Sequence, residues 1–214
     1  MLYQKIKSFL RIRLQKLFQR SFDDLKILSG QSVLENKRQN YQRYNNINQA
    51  ELKIFSQFGE DGIIDFLIET LNIKFIKFVE VGTADYSESN TRFLFETGRA
   101  EGLIIDSDRN LVSKVKRLFQ LWRGNIKIIS LFVDKENLID TLKKNDSLEK
   151  IDLFSMDVDS VDYWLIKELP DKISKIFIAE YNANFGPNLE VSVPYIKDFD
   201  RTIYHYSNLG WGMS

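Results

Sequence analysis

Cysteine is absent from all 214 residues, which removes disulfides, thiolate catalysis and cysteine zinc sites. Histidine occurs once, as His205 in "TIYHYSN". One histidine leaves little for a histidine-rich metal site, and its aromatic setting reads as an ordinary, partly buried ring. Neither sign of charge is in excess, with Lys plus Arg at 30 and Asp plus Glu at 30. That balance argues against a general nucleic-acid binder, which is usually basic overall. No apolar run is long enough to span a bilayer, and no signal peptide with a cleavage site is read. The expected compartment is therefore the cytoplasm. What is present is an ordinary globular composition, 43% hydrophobic and 28% charged, in a chain long enough for one domain with an ample core.

The opening segment, "MLYQKIKSFLRIRLQKLFQR", stands apart. Leu2, Ile6, Phe9, Leu10, Leu14, Leu17 and Phe18 fall on a helical stripe. Lys5, Lys7, Arg11, Arg13, Lys16 and Arg20 are basic, and no acid precedes Asp23. Such a basic amphipathic helix suits peripheral contact with an anionic membrane surface, or packing on its own domain or on a partner subunit. Residues 30–50 are polar and weakly periodic and read as a linker or surface loop. The expected organisation is a helix and polar linker over 1–50, then an α/β domain over 51–214.

A helix is expected from about Glu60, with Ile63, Ile64, Leu67, Ile68 and Leu71 on one face. Beyond it, apolar runs at 75–81, 102–107, 126–133, 151–158 and 175–182 alternate with amphipathic stretches. The clearest stretch carries Leu111, Val112, Val115, Leu118, Phe119 and Trp122; another carries Val161, Trp164, Leu165 and Leu169. Continuous apolar strands between one-sided helices predict a doubly wound, mostly parallel α/β sheet of at least five strands, covered on both faces.

Ligands of such sheets bind at the carboxyl ends of the strands. The first strand ends in "FVEVGTADYS". A dinucleotide turn needs G-x-G-x-x-G to bring backbone onto a pyrophosphate. Here Gly82 stands alone, with Ala84 and Ser87 where the later glycines would be, and no Walker lysine follows. Glu80 repels phosphate and suits a cation. Asp106 ends the second strand, where a carboxylate can bond two vicinal ribose hydroxyls. A cationic nucleoside without phosphate is S-adenosylmethionine. Asp134, after the third strand, could meet its adenine amino group, although "DKEN" is also good helix-capping sequence. A nicotinamide oxidoreductase is disfavoured by the missing glycines.

The segments "SQFGEDGII", "FVEVGTADYSESNT", "GLIIDSDRNL" and "EYNANFGP" resemble FkbM-type and related class I S-adenosylmethionine-dependent methyltransferases over about residues 52–210. The resemblance implies a Rossmann-like fold and a cofactor pocket lined by Gln57, Glu80, Gly82, Thr83, Asn90, Thr91 and Asp106. The glycine turn departs from the family pattern at Ala84, and Tyr86 is bulkier than usual and would narrow the pocket. The family sheet carries two further strands as an antiparallel hairpin. No convincing pair is read after Asn182, so the domain is expected to lack its usual last strands, either truncated at the C-terminus or completed by another chain.

The fourth strand ends in "SMDVDSVDYW" and the fifth in "AEYNANFGP". Asp157 is the expected base or cofactor contact, with Asp159, Glu180 and Asn182 orienting the acceptor. Clustered carboxylates either share protons or hold a divalent cation; a metal is an option rather than a requirement, and no ligand set is assigned. Asp162 reads as the solvated first turn of the next helix. "FGPNLEVSVPY", with Pro187 and Pro194, reads as a loop over the site mouth. The expected activity is O-methylation of a sugar, glycan or small metabolite, with no nucleic-acid partner and a homo-oligomer as an open assembly state. The alternative is a catalytically degenerate domain serving as a binding or membrane-associated module.

Overall fold

The computed structural model describes residues 2–118, 124–145, 150–186, 188–204 and 206–214, with side chains described from residue 18 onward. His205, Phe119, Trp122 and Pro187 lie outside the described residues. The chain divides into two compact units, Met1–Asn72 and Ile73–Ser214.

In the first unit, α1 spans Leu2–Arg38 and α2 spans Glu60–Thr70, with short 3-10 turns at Tyr41–Arg43 and Ile47–Ala50. The expectation of a linker over 30–50 is corrected here: the helix continues through its first half. The anchors recur at helical spacing, in Gly30, Leu34, Arg38 and Tyr41. A Cβ on Gly30 would lie 2.5 Å from Ile54 Cδ1, and Leu34 is buried. Arg38 grips the buried Asp65 with Nη2 at 2.6 Å and Nε at 2.9 Å, while Tyr41 donates its hydroxyl to the same carboxylate at 2.9 Å. These contacts are non-local, so a polar composition concealed them. The turn at 47–50 is held by a reciprocal capping box between Asn46 and Gln49.

"SQFGEDG" is also organised from within. The backbone N–H groups of Ile54, Phe55 and Ser56 converge on Asp61 Oδ2 at 2.8, 2.7 and 2.8 Å, and Ser56 Oγ joins them at 2.8 Å. The acid thus fixes the loop that leads into α2.

The second unit is built on five parallel strands: β1 (Ile76–Val81), β2 (Ala100–Asp106), β3 (Ile126–Ser130), β4 (Ile151–Met156) and β5 (Ser174–Ala179). They lie in the order β3-β2-β1-β4-β5. The connecting helices are α3 (Arg92–Glu96), α4 (Leu111–Leu118), α5 (Leu138–Lys144) and α6 (Asp162–Ile166), with a short α7 (Arg201–Tyr204) near the end. The chain moves outward from β1 to β3, then crosses back to β4 and β5. With right-handed crossovers, that reversal puts the two sets of helices on opposite faces. This is the doubly wound, Rossmann-like sheet the apolar alternation predicts. One core joins Val79, Val81, Leu103, Ile105, Phe154 and Met156 of the sheet to Leu138 and Leu142 of α5 and Leu165 of α6. Val193 and Phe199 from the C-terminal segment complete that layer.

Among the described residues no strand follows β5; Ser192 and Met213 form an isolated antiparallel bridge. The last segment is drawn over the carboxyl end of the sheet, where Gly212 N–H donates to Ser160 O at 2.8 Å and Asn182 N–H to Met213 O at 2.8 Å. "EVSVPY" is tied to that last segment and to α6, with Val193 N–H donating to Gly212 O at 3.1 Å and Val193 O accepting from Trp164 Nε1 at 2.8 Å.

Candidate functional site

The reversal point lies between β1 and β4. Val81 pairs with Ile105 on one side and Met156 on the other, and Met156 pairs with Ala179. The next row across the carboxyl edge therefore reads Asp106, Gly82, Asp157 and Glu180. Three of four sequence-expected residues in one row are acids, brought together by parallel register alone.

Gly82 is required where it stands. Its φ is +82°, and a Cβ would lie 1.5 Å from Asp157 O. The turn crosses the end of β4 at a distance only hydrogen allows. Past it, Thr83 and Ala84 donate their N–H groups to Asp106 Oδ2 at 2.9 and 2.7 Å, and Asp108 N–H donates to Oδ1 at 2.8 Å. Each carboxylate oxygen carries two lone pairs, so Asp106, partly exposed, keeps acceptor capacity on Oδ1. The Thr83 hydroxyl is buried and has no hydrogen-bond partner among the described residues.

Glu80 has a different setting. It is buried, and both its oxygens accept from "SNT": Oε1 from Asn90 N–H at 2.9 Å, and Oε2 from Ser89 Oγ at 2.7 Å, Thr91 N–H at 3.1 Å and the Thr91 hydroxyl. Burial raises its pKa, opposed by those four donors. Asn90 Nδ2 continues the network to Ser155 Oγ on β4 at 3.0 Å. Arg92, also buried, braces the loop from behind by donating to Ser87 O at 2.9 Å and to Glu96 at 2.7 Å. Tyr86 is fully buried at φ +65°, its hydroxyl 2.8 Å from Thr91 Oγ1. A bulky residue is costly in that region of backbone space, and its burial and hydrogen bond offset the strain. Glu80, Asn90 and Thr91 are therefore brought together, with Glu80 as the internal hub of the loop.

On the other side of Gly82, the carboxyl groups of Asp157 and Glu180 lie side by side, with one oxygen of each within 4.8 Å of the other. Burial first, and then Asp157, push Glu180 up to about 9. Burial also raises Asp157, opposed by its bond to Glu180. Glu180 Oε2 is buried and meets no donor among the described residues. Asp162 joins them: one carboxylate oxygen from each of Asp157, Asp162 and Glu180 lies within 4.8 Å of the others. An oxygen-only set of this kind can hold either a proton or a divalent cation.

The remaining expected residues are placed as follows. Asp159, at φ +54°, forms an ion pair with Arg201, whose guanidinium lies 5.6 Å from the Trp211 ring centroid. Asn182 is fully buried and spends its amide on the chain itself, donating to Leu209 O at 2.9 Å and Trp211 O at 2.7 Å. Asp134 accepts from Glu136 and Asn137 N–H groups at 3.0 and 2.8 Å ahead of α5. Burial would raise its pKa, but Asn137 N–H and the nearby Lys197 outweigh it and lower it. The bonds to Asp134 close a turn just ahead of α5, whose N-cap residue is Asn137 and not Asp134. Gln57 is exposed and belongs to the first unit.

Asp162 is a correction. Instead of a solvated first turn it is fully buried, because the tight turn at Asp159 folds its carboxylate back onto Val158 N–H at 2.8 Å and Ser160 N–H at 3.0 Å. Its spacing from Asp157 was the signal that it belongs to the cluster. Arg92 carried no such signal.

Compared with known proteins, the chain matches no family model, no curated protein and no solved structure.

Proposed function

We propose that the second unit is an S-adenosylmethionine-dependent methyltransferase acting on a hydroxyl of a sugar, glycan or small metabolite. The observation that carries the reading is the row Asp106–Gly82–Asp157–Glu180 at the reversal point of the sheet. On one side of Gly82 it offers a carboxylate with acceptor capacity beside the Thr83 hydroxyl, which has no partner among the described residues. On the other it offers an adjacent carboxyl pair, Asp157 and Glu180, with Glu180 pushed up to about 9. The single glycine and the acids suit a cationic nucleoside better than a phosphate.

When bound, the cofactor supplies an electrophilic methyl group on a sulfonium sulfur. Asp106 would hold the ribose hydroxyls, with Thr83 hydrogen bonding beside it. Glu80, through Ser89, Asn90 and Thr91, would shape the loop that covers the cofactor. Glu180, pushed up to about 9 by burial and by Asp157, keeps its proton near neutral pH. Asp157 would accept the proton of the acceptor hydroxyl and become neutral as the sulfonium loses its charge, while protonated Glu180 beside it would hold the Asp157 carboxylate in place beforehand by donating a hydrogen bond.

A second reading has its own support. Glu80 and Asn182 are both committed to internal hydrogen bonds, and Tyr86 is buried inside the turn, as in a binding module that has lost catalysis. Hydrogen–deuterium exchange with S-adenosylhomocysteine separates the two. The methyltransferase reading expects protection at 82–85 and 106–108; unchanged exchange there refutes it.

A further inference from the structure

Helix α1 presents an outward apolar stripe that the first unit leaves uncovered. Its inward face is marked by Asp23, Gly30 and Leu34, all buried and spaced by whole turns. Away from these, Phe18 is 61% exposed, Phe22 60%, Leu25 60% and Leu28 64%. Successive members lie three or four residues apart, so they form one continuous face. Four large apolar side chains exposed together are unusual on a surface that stays in water.

The charge around this stripe selects its partner. Lys5, Lys7, Arg11, Arg13 and Lys16 precede it in the same helix and Arg20 lies between its first two members, with no acid before Asp23. Asp23 is buried, which leaves Asp24 as the single exposed acid ahead of Glu35. We propose that α1 docks in the plane of an anionic phospholipid membrane, with Phe18, Phe22, Leu25 and Leu28 entering the boundary between headgroups and acyl chains. Anionic headgroups neutralise the basic half of the helix while the stripe leaves water. A second copy of the chain covers the stripe less well: parallel pairing of two such helices lays one run of Lys and Arg beside another, and antiparallel pairing sets the run opposite residues 25–38, in which Glu35 is the single acid, beside Lys26, Lys37 and Arg38. No helix among the described residues is long and apolar enough to cross a membrane, so the contact is peripheral. This surface belongs to the first unit and does not depend on the methyltransferase reading.

The test is co-sedimentation of the full chain with phosphatidylcholine vesicles, with and without phosphatidylserine, at low and high salt. The proposal expects binding that needs phosphatidylserine and weakens as salt rises. It expects the double variant Phe22→Glu, Leu25→Glu to bind at least about tenfold more weakly with an unchanged circular dichroism spectrum. Absence of binding to phosphatidylserine vesicles overturns it, as does equal binding by the folded variant. A wild-type dimer that the same variant converts to a monomer also overturns it, and assigns the stripe to a second copy.

Discussion

Replacing Glu180 by Gln keeps the shape of the side chain and removes its titration. In the wild type, Glu180 holds its proton up to about 9 in the folded protein, against an ordinary 4.5. A raised carboxyl pKa means that the folded state binds more protons than the unfolded state over that window. The stability it supplies is therefore complete at the acid end and is lost as pH rises through about 9. At about 1.4 kcal/mol per unit, the full window would amount to about 6 kcal/mol. Water reaches the half-open pair and Arg201 pairs with the neighbouring Asp159, so screening reduces the usable share to about 2 kcal/mol. Glu180→Gln should lose this slope, because its amide donates to Asp157 at every pH. Thermal unfolding followed from about pH 5 to about pH 9 should show the variant gaining on the wild type by about 4–8 °C at the alkaline end. Parallel melting curves would refute the raised Glu180 carboxyl.

Three further substitutions probe the frame around the row. Gly82→Ala forces a Cβ to 1.5 Å from Asp157 O at a φ of +82°, and should cost at least about 3 kcal/mol in a urea titration. Glu80→Gln removes the charge that gathers Ser89, Asn90 and Thr91; it should destabilise by about 2 kcal/mol and speed amide exchange at Asn90 and Thr91. Asp65→Ala removes the common acceptor of Arg38 and Tyr41. It should cost about 3 kcal/mol and reduce helicity by circular dichroism, through fraying of the end of α1.

The architecture was legible because it is written in local pattern. Five apolar runs alternating with one-sided helices define a parallel sheet, and all five became strands. Gly82 and the two acids flanking it in the row were legible because a strand end places its own last residues. What composition concealed was non-local. The helix over 30–38 depends on Ile54 and Asp65, residues far along the chain, so its polar sequence resembled a loop. Asp162 resembled an exposed first-turn acid until the φ of Asp159 turned it inward. Asn182 was visible as an amide at a strand end, but its partners are backbone carbonyls of Leu209 and Trp211, which no local pattern specifies. Tyr86 followed the same rule: its bulk was legible, whereas its burial depends on the loop gathered by Glu80.

The central claim is that the row at the reversal point binds a sulfonium nucleoside. Isothermal titration of the purified protein with S-adenosylmethionine tests it most directly, with Asp106→Ala as the control and NAD as the competing ligand class. The account predicts a saturable heat for S-adenosylmethionine, none for NAD, and its loss in a folded Asp106→Ala protein. Absence of heat with the folded wild type, or undiminished binding by Asp106→Ala, would contradict it.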